Sequence, residues 1–112
     1  MRGANLNLLI LVVDDEPDVE ILFRQQFRRD LRSGRFTMEF ALSAEAALQR
    51  IDDADGISII LILSDINMPG MTGLELLPRA KAARPNVPVI MITDIDFRVL
   101  RGEIDARVEH AA

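Results

Sequence analysis

Three short apolar runs constrain the fold of this chain more than any other feature of its sequence. They occupy residues 8–13, 59–63 and 89–92, and each is followed directly by an acidic or hydroxyl-bearing residue. Uninterrupted apolar runs of this length are too short for buried helices and are typical of strands covered on both faces of a parallel sheet. The sequence therefore predicts a parallel sheet with three buried strands.

Helical periodicity and one alternating segment fill the intervals between these runs. Apolar residues recur every three or four positions after Pro17, which predicts a first helix ending near Ser33 and Gly34. Residues 36–42 alternate between large apolar and smaller or polar side chains, which indicates an edge strand with one buried face. Three further helices are predicted from apolar stripes, namely Ala44, Ala47, Leu48 and Ile51, then Leu74 and Leu77, then Phe97, Leu100, Ile104 and Val108.

Local signals mark the ends of two of these helices. Thr72 and Glu75 have the spacing of a capping box, which predicts that the third helix begins there. Asp96 is a predicted cap of the last helix. Pro78 is expected to bend the third helix, because proline removes a backbone donor.

The order of these elements predicts the fold class. Strands that alternate with helices form βαβ units with right-handed crossovers. A length of 112 residues provides for one domain with one core. The expected fold is therefore α/β, a three-layer sandwich with a parallel sheet, in a single domain over residues 1–112.

Charge and composition exclude several classes of partner and site. A net charge of −5 opposes attraction to nucleic-acid phosphates and to anionic membranes. The absence of cysteine excludes disulfides and thiolate metal sites. No apolar run approaches the ~20 residues that cross a bilayer, and the N-terminal run lacks the cleavage pattern of a signal peptide. We therefore expect a cytoplasmic protein that binds neither nucleic acid nor membrane directly.

Acidic residues collect where the predicted strands end. Asp14, Asp15 and Glu16 follow the first apolar run, Asp65 follows the second within two residues, and Thr93 follows the third. Ligands of open parallel sheets bind beyond the carboxyl ends of the strands. We therefore expect these side chains to lie together at one edge of the sheet.

Such a cluster predicts a divalent cation and a nucleophile. Two carboxylates about 4 Å apart repel by roughly 4 kcal/mol at an effective dielectric constant of 20, so the cluster needs a cation or bound protons. Carboxylates, a backbone carbonyl and water are the ligands that Mg²⁺ prefers. One carboxylate can then accept a phosphoryl group, and the hydroxyl of Thr93 can contact a phosphoryl oxygen.

Structural explanations compete with this interpretation for each residue taken alone. The acidic residues 14–16 precede Pro17 and can simply cap the first helix and favour its positive end. Asp65 can be a turn residue ahead of Pro69, and Thr93 can be an ordinary strand residue. These explanations lose weight because all of the residues follow strands that end at the same edge.

Three segments carry a resemblance to a known family. Residues 11–17 (LVVDDEP), 64–73 (SDINMPGMTG) and 88–93 (PVIMIT) resemble the receiver domains of two-component response regulators. The resemblance extends from about Leu8 to Thr93. It implies the flavodoxin-like fold of the chemotaxis regulators, with the strand order 2-1-3-4-5.

The resemblance also implies a role for each site residue. Asp65 would be the phosphoacceptor, and Asp15 and Asp65 would bind Mg²⁺ directly, with Asn67 adding its backbone carbonyl. Asp14 would act through a metal-bound water. Thr93 would turn toward the phosphoryl group and thereby shift the population of a partner-binding surface.

The family further implies partners and a mode of action. The phosphodonor would be a phosphohistidine protein, either a sensor histidine kinase or a phosphotransfer protein. The signal would pass to a downstream effector that the sequence does not identify, and a homodimer is left open. The chain would be a signalling domain that gains and loses its own phosphoryl group, without a separate turnover substrate, so it would not be an enzyme.

One departure from the family is large. The lysine that follows the family's fifth strand has no counterpart after Thr93, and Lys81, the only lysine, lies in the third predicted helix. Residues 95–101 resemble the start of the family's last helix. We therefore predict that a segment of roughly 25 residues, which would form the family's helix four and strand five, is missing between about Asp94 and Ile95. Either the protein has this segment and the numbered sequence leaves it out, or the segment is truly deleted. Asp94 also stands where the family prefers a small residue.

Two alternative functions follow from the same residues. A phosphohydrolase of the haloacid-dehalogenase kind also forms an aspartyl phosphate after a parallel strand, but its second acidic residue should stand where this chain has Asn67. A pseudo-receiver that binds partners without phosphate is favoured if the family's lysine is truly absent.

Overall fold

The structure is a computed structural model that describes residues 8–53 and 58–111. Strands and helices alternate along these residues, as the sequence predicts. The elements in chain order are β1 (Leu8–Val13), α1 (Asp18–Gln26), α2 (Arg28–Arg32), β2 (Thr37–Ala41), α3 (Ala44–Asp52), β3 (Ser58–Asp65), α4 (Gly73–Ala83), β4 (Val89–Ile92) and α5 (Phe97–Ala111). Among them no helix combines the length and the apolar character needed to cross a bilayer.

The four strands form one parallel sheet in the order β2-β1-β3-β4. This order confirms the predicted fold class, a flavodoxin-like α/β sandwich, for the first four strands. Over residues 58–111 no fifth strand follows β4, and the chain enters α5 after residues 93–96. The sheet therefore ends at β4.

Helices cover both faces of the sheet, and β1 lies between β2 and β3. All six residues of β1 are buried for this reason. One face packs against α1 and α5 through Leu8, Ile10, Val12, Phe23, Leu100 and Ile104. The other face packs against α3 and α4 through Leu9, Leu11, Val13, Ala47, Leu76 and Ala80.

Aromatic and charged contacts hold α5 against the first helices. The ring centroids of Phe97 and Phe23 lie 5.1 Å apart in an edge-on arrangement, which favours the pair beyond its apolar burial. Arg101 donates to a carboxylate oxygen of Asp30 at 3.1 Å, and Arg35 donates to Asp105 at 2.7 Å. Because Asp30 is only 13% exposed, its ion pairs are less screened than those on an open surface. These contacts place the last helix beside α1 and α2.

The first helix differs from the single helix that the sequence predicts. It is divided at Phe27, whose backbone leaves the helical region with φ −112° and ψ 25°. The ring of Phe27 nevertheless stays buried between the rings of Phe23 and Phe36. The apolar spacing therefore continues across the break, which is why periodicity alone does not detect it.

The inward face of α4 was predicted wrongly. Leu74 is 59% exposed and Leu77 is half-buried, whereas Gly73, Leu76 and Ala80 face the core. The first turn of α4 packs its glycine against the end of β3, and this contact sets the rotation of the helix. Leucines stand at positions 74, 76 and 77, so the apolar spacing alone does not show which of them faces the core.

Two predictions of burial were also wrong at the ends of the sheet. Leu42 is 55% exposed because β2 ends one residue earlier, at Ala41. Residues 89–92 of β4 are half-buried instead of buried, because β4 has a strand neighbour on one side only. The predicted edge position of β2 is confirmed.

The predicted helix caps are present. Thr72 accepts a hydrogen bond from the N–H of Glu75 at 3.2 Å, and Glu75 accepts one from the N–H of Thr72 at 2.9 Å. Asp96 accepts one from the N–H of Arg98 at 3.0 Å, at the start of α5. Pro78 lies inside α4, which continues to Ala83, and the bend at Pro78 stays a prediction.

Candidate functional site

Three carboxylates converge at the carboxyl edge of the sheet. Asp14 and Asp15 follow β1, and Asp65 is the last residue of β3. Val13 pairs in register with Ser64, so the residues that come next on the two strands are neighbours. One carboxylate oxygen from each of the three aspartates lies within 4.8 Å of the others. All three residues are half-buried, so the cluster is in contact with solvent.

Two hydrogen bonds fix the position of the first aspartate after β1. The N–H of Asp14 donates to the carbonyl of Ala41 at 3.0 Å, which continues the pairing with β2 by one residue. A carboxylate oxygen of Asp14 then accepts a hydrogen bond from the N–H of Glu16 at 3.0 Å. These hydrogen bonds hold Asp14 in a local turn beside the end of β3, and Asp15 follows it in the chain. Glu16 itself is exposed and is not one of the three clustered carboxylates.

The cluster disfavours the charged form of Asp14. Burial is the largest cause that raises the pKa of the Asp14 carboxyl, and the negative charges of Asp65, Asp15 and Glu16 raise it further. The hydrogen bond from the N–H of Glu16 partly opposes this increase in pKa. A cation bound between the carboxylates would remove the repulsion.

The start of α4 packs directly on the backbone of Asp65. The N–H of Gly73 donates to the carbonyl of Ile66 at 2.8 Å. A Cβ atom on Gly73 would lie 2.1 Å from the carbonyl oxygen of Asp65 and 3.0 Å from the Cα of Ile66. Only glycine allows this approach, so Gly73 helps to fix the position of the Asp65 backbone at the end of β3. In the sequence, Gly73 belongs to the segment 64–73 that resembles the family. A glycine at the predicted start of a helix is the one signal that could have indicated its close contact with the strand.

The loop between Asp65 and α4 is also anchored. Met68 is 6% exposed and belongs to the core on the α3 and α4 face. Gly70 has a φ of +77°, a conformation that residues with a Cβ rarely adopt. Sequence reasoning did not assign Met68 or Gly70 to the site, although both hold the loop that carries Asn67.

Asn67 and Thr93 follow β3 and β4 at the edge of the sheet where the carboxylates lie. Asn67 is exposed, and its N–H donates to a carboxylate oxygen of Asp65 at 3.4 Å. Thr93 is exposed and follows Ile92, which pairs in register with Asp65. The structure thus places both predicted residues at the same edge of the sheet.

The donor atoms of the cluster fit a hard divalent cation. Over residues 8–53 and 58–111, only one group of three histidine, cysteine, aspartate or glutamate side chains is close enough to hold a metal. It consists of Asp14, Asp15 and Asp65. All three offer oxygen, and none offers the sulfur or imidazole nitrogen that zinc prefers. Their partial exposure leaves room for water ligands, which Mg²⁺ usually retains.

Comparison with known proteins identifies the family. A family model described as response regulator receiver domain matches residues 10–103. The chain belongs to this family. Receiver domains are signalling domains of two-component systems, and they bind Mg²⁺ at an acidic cluster that corresponds here to Asp14, Asp15 and Asp65.

Individual receiver relatives support this assignment. Sporulation initiation phosphotransferase F of Bacillus subtilis (strain 168) is 34% identical over 88 residues, which cover 79% of this chain and 65% of that protein. The C4-dicarboxylate transport transcriptional regulatory protein DctD of Rhizobium meliloti (strain 1021) is 34% identical over 84 residues, covering 75% of this chain and 17% of that protein. The chain therefore spans less than two thirds of the length of these curated relatives.

Solved receiver structures share the fold. The receiver domain of the hybrid histidine kinase CckA superposes with a TM-score of 0.72 at 26% identity, covering 89% of this chain and 98% of that one. A CheY-like response regulator receiver domain protein from Methanospirillum hungatei JF-1 superposes with a TM-score of 0.73 at 24% identity, covering 93% and 95%. The second of these shows likeness of fold alone.

The raised pKa of Asp14 predicts how the stability of this receiver domain depends on pH. Between the ordinary carboxyl pKa and the raised one, the folded state binds more protons at Asp14 than the unfolded state does. The free energy of unfolding of the metal-free protein should therefore fall as the pH rises through this interval. Urea denaturation in a chelator at a series of pH values, compared with Asp14→Asn, measures this contribution. Equal slopes for the two proteins would contradict it.

Proposed function

We propose that this receiver domain accepts a phosphoryl group on Asp65 from a phosphohistidine protein, in a reaction that depends on Mg²⁺. One observation carries the proposal: three aspartates from the ends of two adjacent buried strands bring their carboxylate oxygens within 4.8 Å of one another. Such convergence costs electrostatic free energy unless a cation is bound. A partly exposed acceptor beside a cation site is what phosphoryl transfer requires.

The proposed metal ligands are those that the family pattern assigns. Asp15 and Asp65 would hold Mg²⁺ directly, Asn67 would add its backbone carbonyl, and Asp14 would act through a bound water. When bound, the ion would supply positive charge that offsets the negative charge of the phosphoryl oxygens and of the attacking carboxylate. The half-buried position of Asp65 supports this assignment, because a donor protein can reach its side chain from solvent.

The transfer itself needs one nucleophilic oxygen. The N–H of Asn67 lies near one carboxylate oxygen of Asp65 and orients the group. The other oxygen forms a bond to phosphorus while the bond from phosphorus to the donor's histidine nitrogen breaks, and that nitrogen keeps the electron pair. The product is an aspartyl phosphate, with no separate turnover substrate.

The exposed hydroxyl of Thr93 supports a switching step. Thr93 follows Ile92, which pairs in register with Asp65, so a phosphoryl group on Asp65 would lie on the side of Asp65 where β4 ends. A hydrogen bond to a phosphoryl oxygen would draw the segment after β4 toward the site and change the surface that an effector contacts. The proposed partners are a sensor histidine kinase or phosphotransfer protein, and an effector downstream.

The proposal includes the domain boundaries. Residues 1–112 form one receiver domain that lacks a helix and a strand between about Asp94 and Ile95. The direct passage from β4 to α5 within four residues supports this view. A cytoplasmic location accords with partners of these classes.

A phosphate-independent pseudo-receiver is a second candidate, favoured by the position of the only lysine. The Nζ atom of Lys81 donates to the carbonyl of Pro85 at 3.2 Å and to that of Val87 at 3.1 Å. Lys81 is thus engaged at the end of α4, away from the carboxylates. Asn67, in turn, disfavours the phosphohydrolase, because it offers no second carboxylic acid.

Labelling with a small phosphodonor tests the proposal. Incubation with acetyl phosphate and Mg²⁺ should increase the intact mass of the chain by one phosphoryl group, and excess chelator should prevent the increase. Absence of labelling at saturating Mg²⁺ would favour the pseudo-receiver. Rapid hydrolysis of phosphate esters without a labelled protein would favour the phosphohydrolase.

A further inference from the structure

The sheet ends at a strand with an unused side. Within the described residues, β4 pairs with β3 alone. The carbonyl of Pro88 accepts a hydrogen bond from the N–H of Ile62 at 3.1 Å, so the carbonyl of residue 88 points toward β3. Because these groups alternate along a strand, the N–H and C=O groups of Val89, Met91 and Thr93 point away from β3. They form an edge that can pair with another strand.

A groove lies beside this edge. It is a cavity of about 420 Å³ between β4 and α5. Ile90 and Ile92 line its strand side, and Val99 and Leu100 line its helix side. Val99 is 61% exposed although it is apolar. The groove therefore offers apolar surface next to unpaired backbone groups, the combination by which sheet edges bind extended peptides.

The rim of the groove is acidic. Asp94, Asp96 and Glu103 line it, and all three are exposed. Among residues 8–53 and 58–111, the one guanidinium paired with this rim belongs to Arg98, whose Nε lies 3.7 Å from a carboxylate oxygen of Asp96. Pairing of two copies through this edge would bring two acidic rims together in a chain that already carries a net charge of −5. A basic partner avoids this repulsion.

We infer that the edge of β4 binds an extended segment of a partner protein as an added strand. The segment has apolar side chains at alternate positions, which enter the groove, and basic residues near its ends, which face the acidic rim. Alternation is required because only every second side chain of an added strand points toward the groove. This binding goes beyond the proposed phosphoryl transfer and does not depend on it, but it rests on the proposed absence of a fifth strand, which would otherwise pair with the same edge of β4.

A synthetic peptide tests the inference without any phosphodonor. The probe alternates isoleucine with threonine and carries lysine at both ends and a fluorescent label, and its affinity is measured by anisotropy. Hydrogen exchange should slow at the amides of Val89, Met91 and Thr93 in the complex. N-methylation of alternate peptide nitrogens should abolish binding, and exchange of the lysines for glutamate should weaken it about tenfold.

Two protein variants with a matched control complete the test. Met91→Pro removes an N–H that points away from β3, so it should abolish peptide binding while the sheet is retained. Glu103→Lys should weaken binding severalfold, whereas Glu109→Lys, which makes the same charge change on α5 outside the groove, should not.

Three results would overturn the inference. These are equal affinity for the N-methylated peptide, unchanged amide exchange along β4, and a dimer in sedimentation equilibrium whose β4 amides are already protected. Since acetyl phosphate labelling is measured separately, failure here leaves the assignment of Asp65 untouched, and failure of labelling leaves peptide binding untouched.

Discussion

Asp65→Asn is expected to abolish labelling by acetyl phosphate at every Mg²⁺ concentration. An amide has nearly the shape of the carboxylate, but its oxygen carries no charge and does not attack phosphorus. The fold should persist, because Asp65 is half-buried and its Oδ1 can still accept the N–H of Asn67. The metal-free variant should also be more stable than the wild type, since one of three clustered charges is removed. Intact mass and urea denaturation measure the two effects.

Asp15→Asn separates the acceptor from a metal ligand. It keeps the acceptor and weakens the proposed cation site by at least the roughly 10-fold to 100-fold that the loss of a group supporting a metal ligand costs, because Asp15 is proposed as a direct ligand. Labelling should therefore be slow at low Mg²⁺ and recover at high Mg²⁺, unlike that of Asp65→Asn. Asp53→Asn, an exposed charge beyond the end of α3, serves as the control and should label normally. Labelling of the Asp65→Asn protein would show that another residue is the acceptor.

The strands and the acidic cluster could be predicted because they depend on chain order and on short-range pattern. The apolar runs that became β1 and β3 are nearly continuous, and parallel register brings their ends together whatever the loops do. Asp14 and Asp65 are therefore neighbours as a consequence of topology. Their proximity can therefore be inferred from strand order and register, without knowing how the side chains on the surface are arranged.

Features that depend on a particular contact could not be predicted in this way. The break at Phe27 preserves the apolar spacing, so the pattern is the same for one helix or two. The half-burial of β4 depends on a strand that does not follow, and a run of apolar residues does not reveal whether a neighbour exists. The outward direction of Leu74 depends on how closely α4 approaches β3. Each is a consequence of packing between distant segments.

Gly73→Ala is expected to disrupt the site through that close approach. Alanine favours a helix over glycine by up to about 1 kcal/mol, but its Cβ would lie 2.1 Å from the backbone oxygen of Asp65. Because the obstacle is backbone, either α4 or the end of β3 must move, at a cost of about 1–3 kcal/mol. The displacement moves Asp65 relative to Asp14 and Asp15, so both Mg²⁺ affinity and the rate of labelling should fall.

Gly102→Ala provides the matched control for this change. Gly102 also lies in a helix, and a Cβ there would meet no atom within 4 Å. Its replacement should raise the free energy of unfolding by about 0.5–1 kcal/mol and leave labelling unchanged. Opposite signs for the two substitutions in urea denaturation, with loss of labelling only for Gly73→Ala, would show that contact with Asp65 and not helix propensity decides the effect. If both variants were stabilised and labelled normally, α4 would not position the phosphoacceptor.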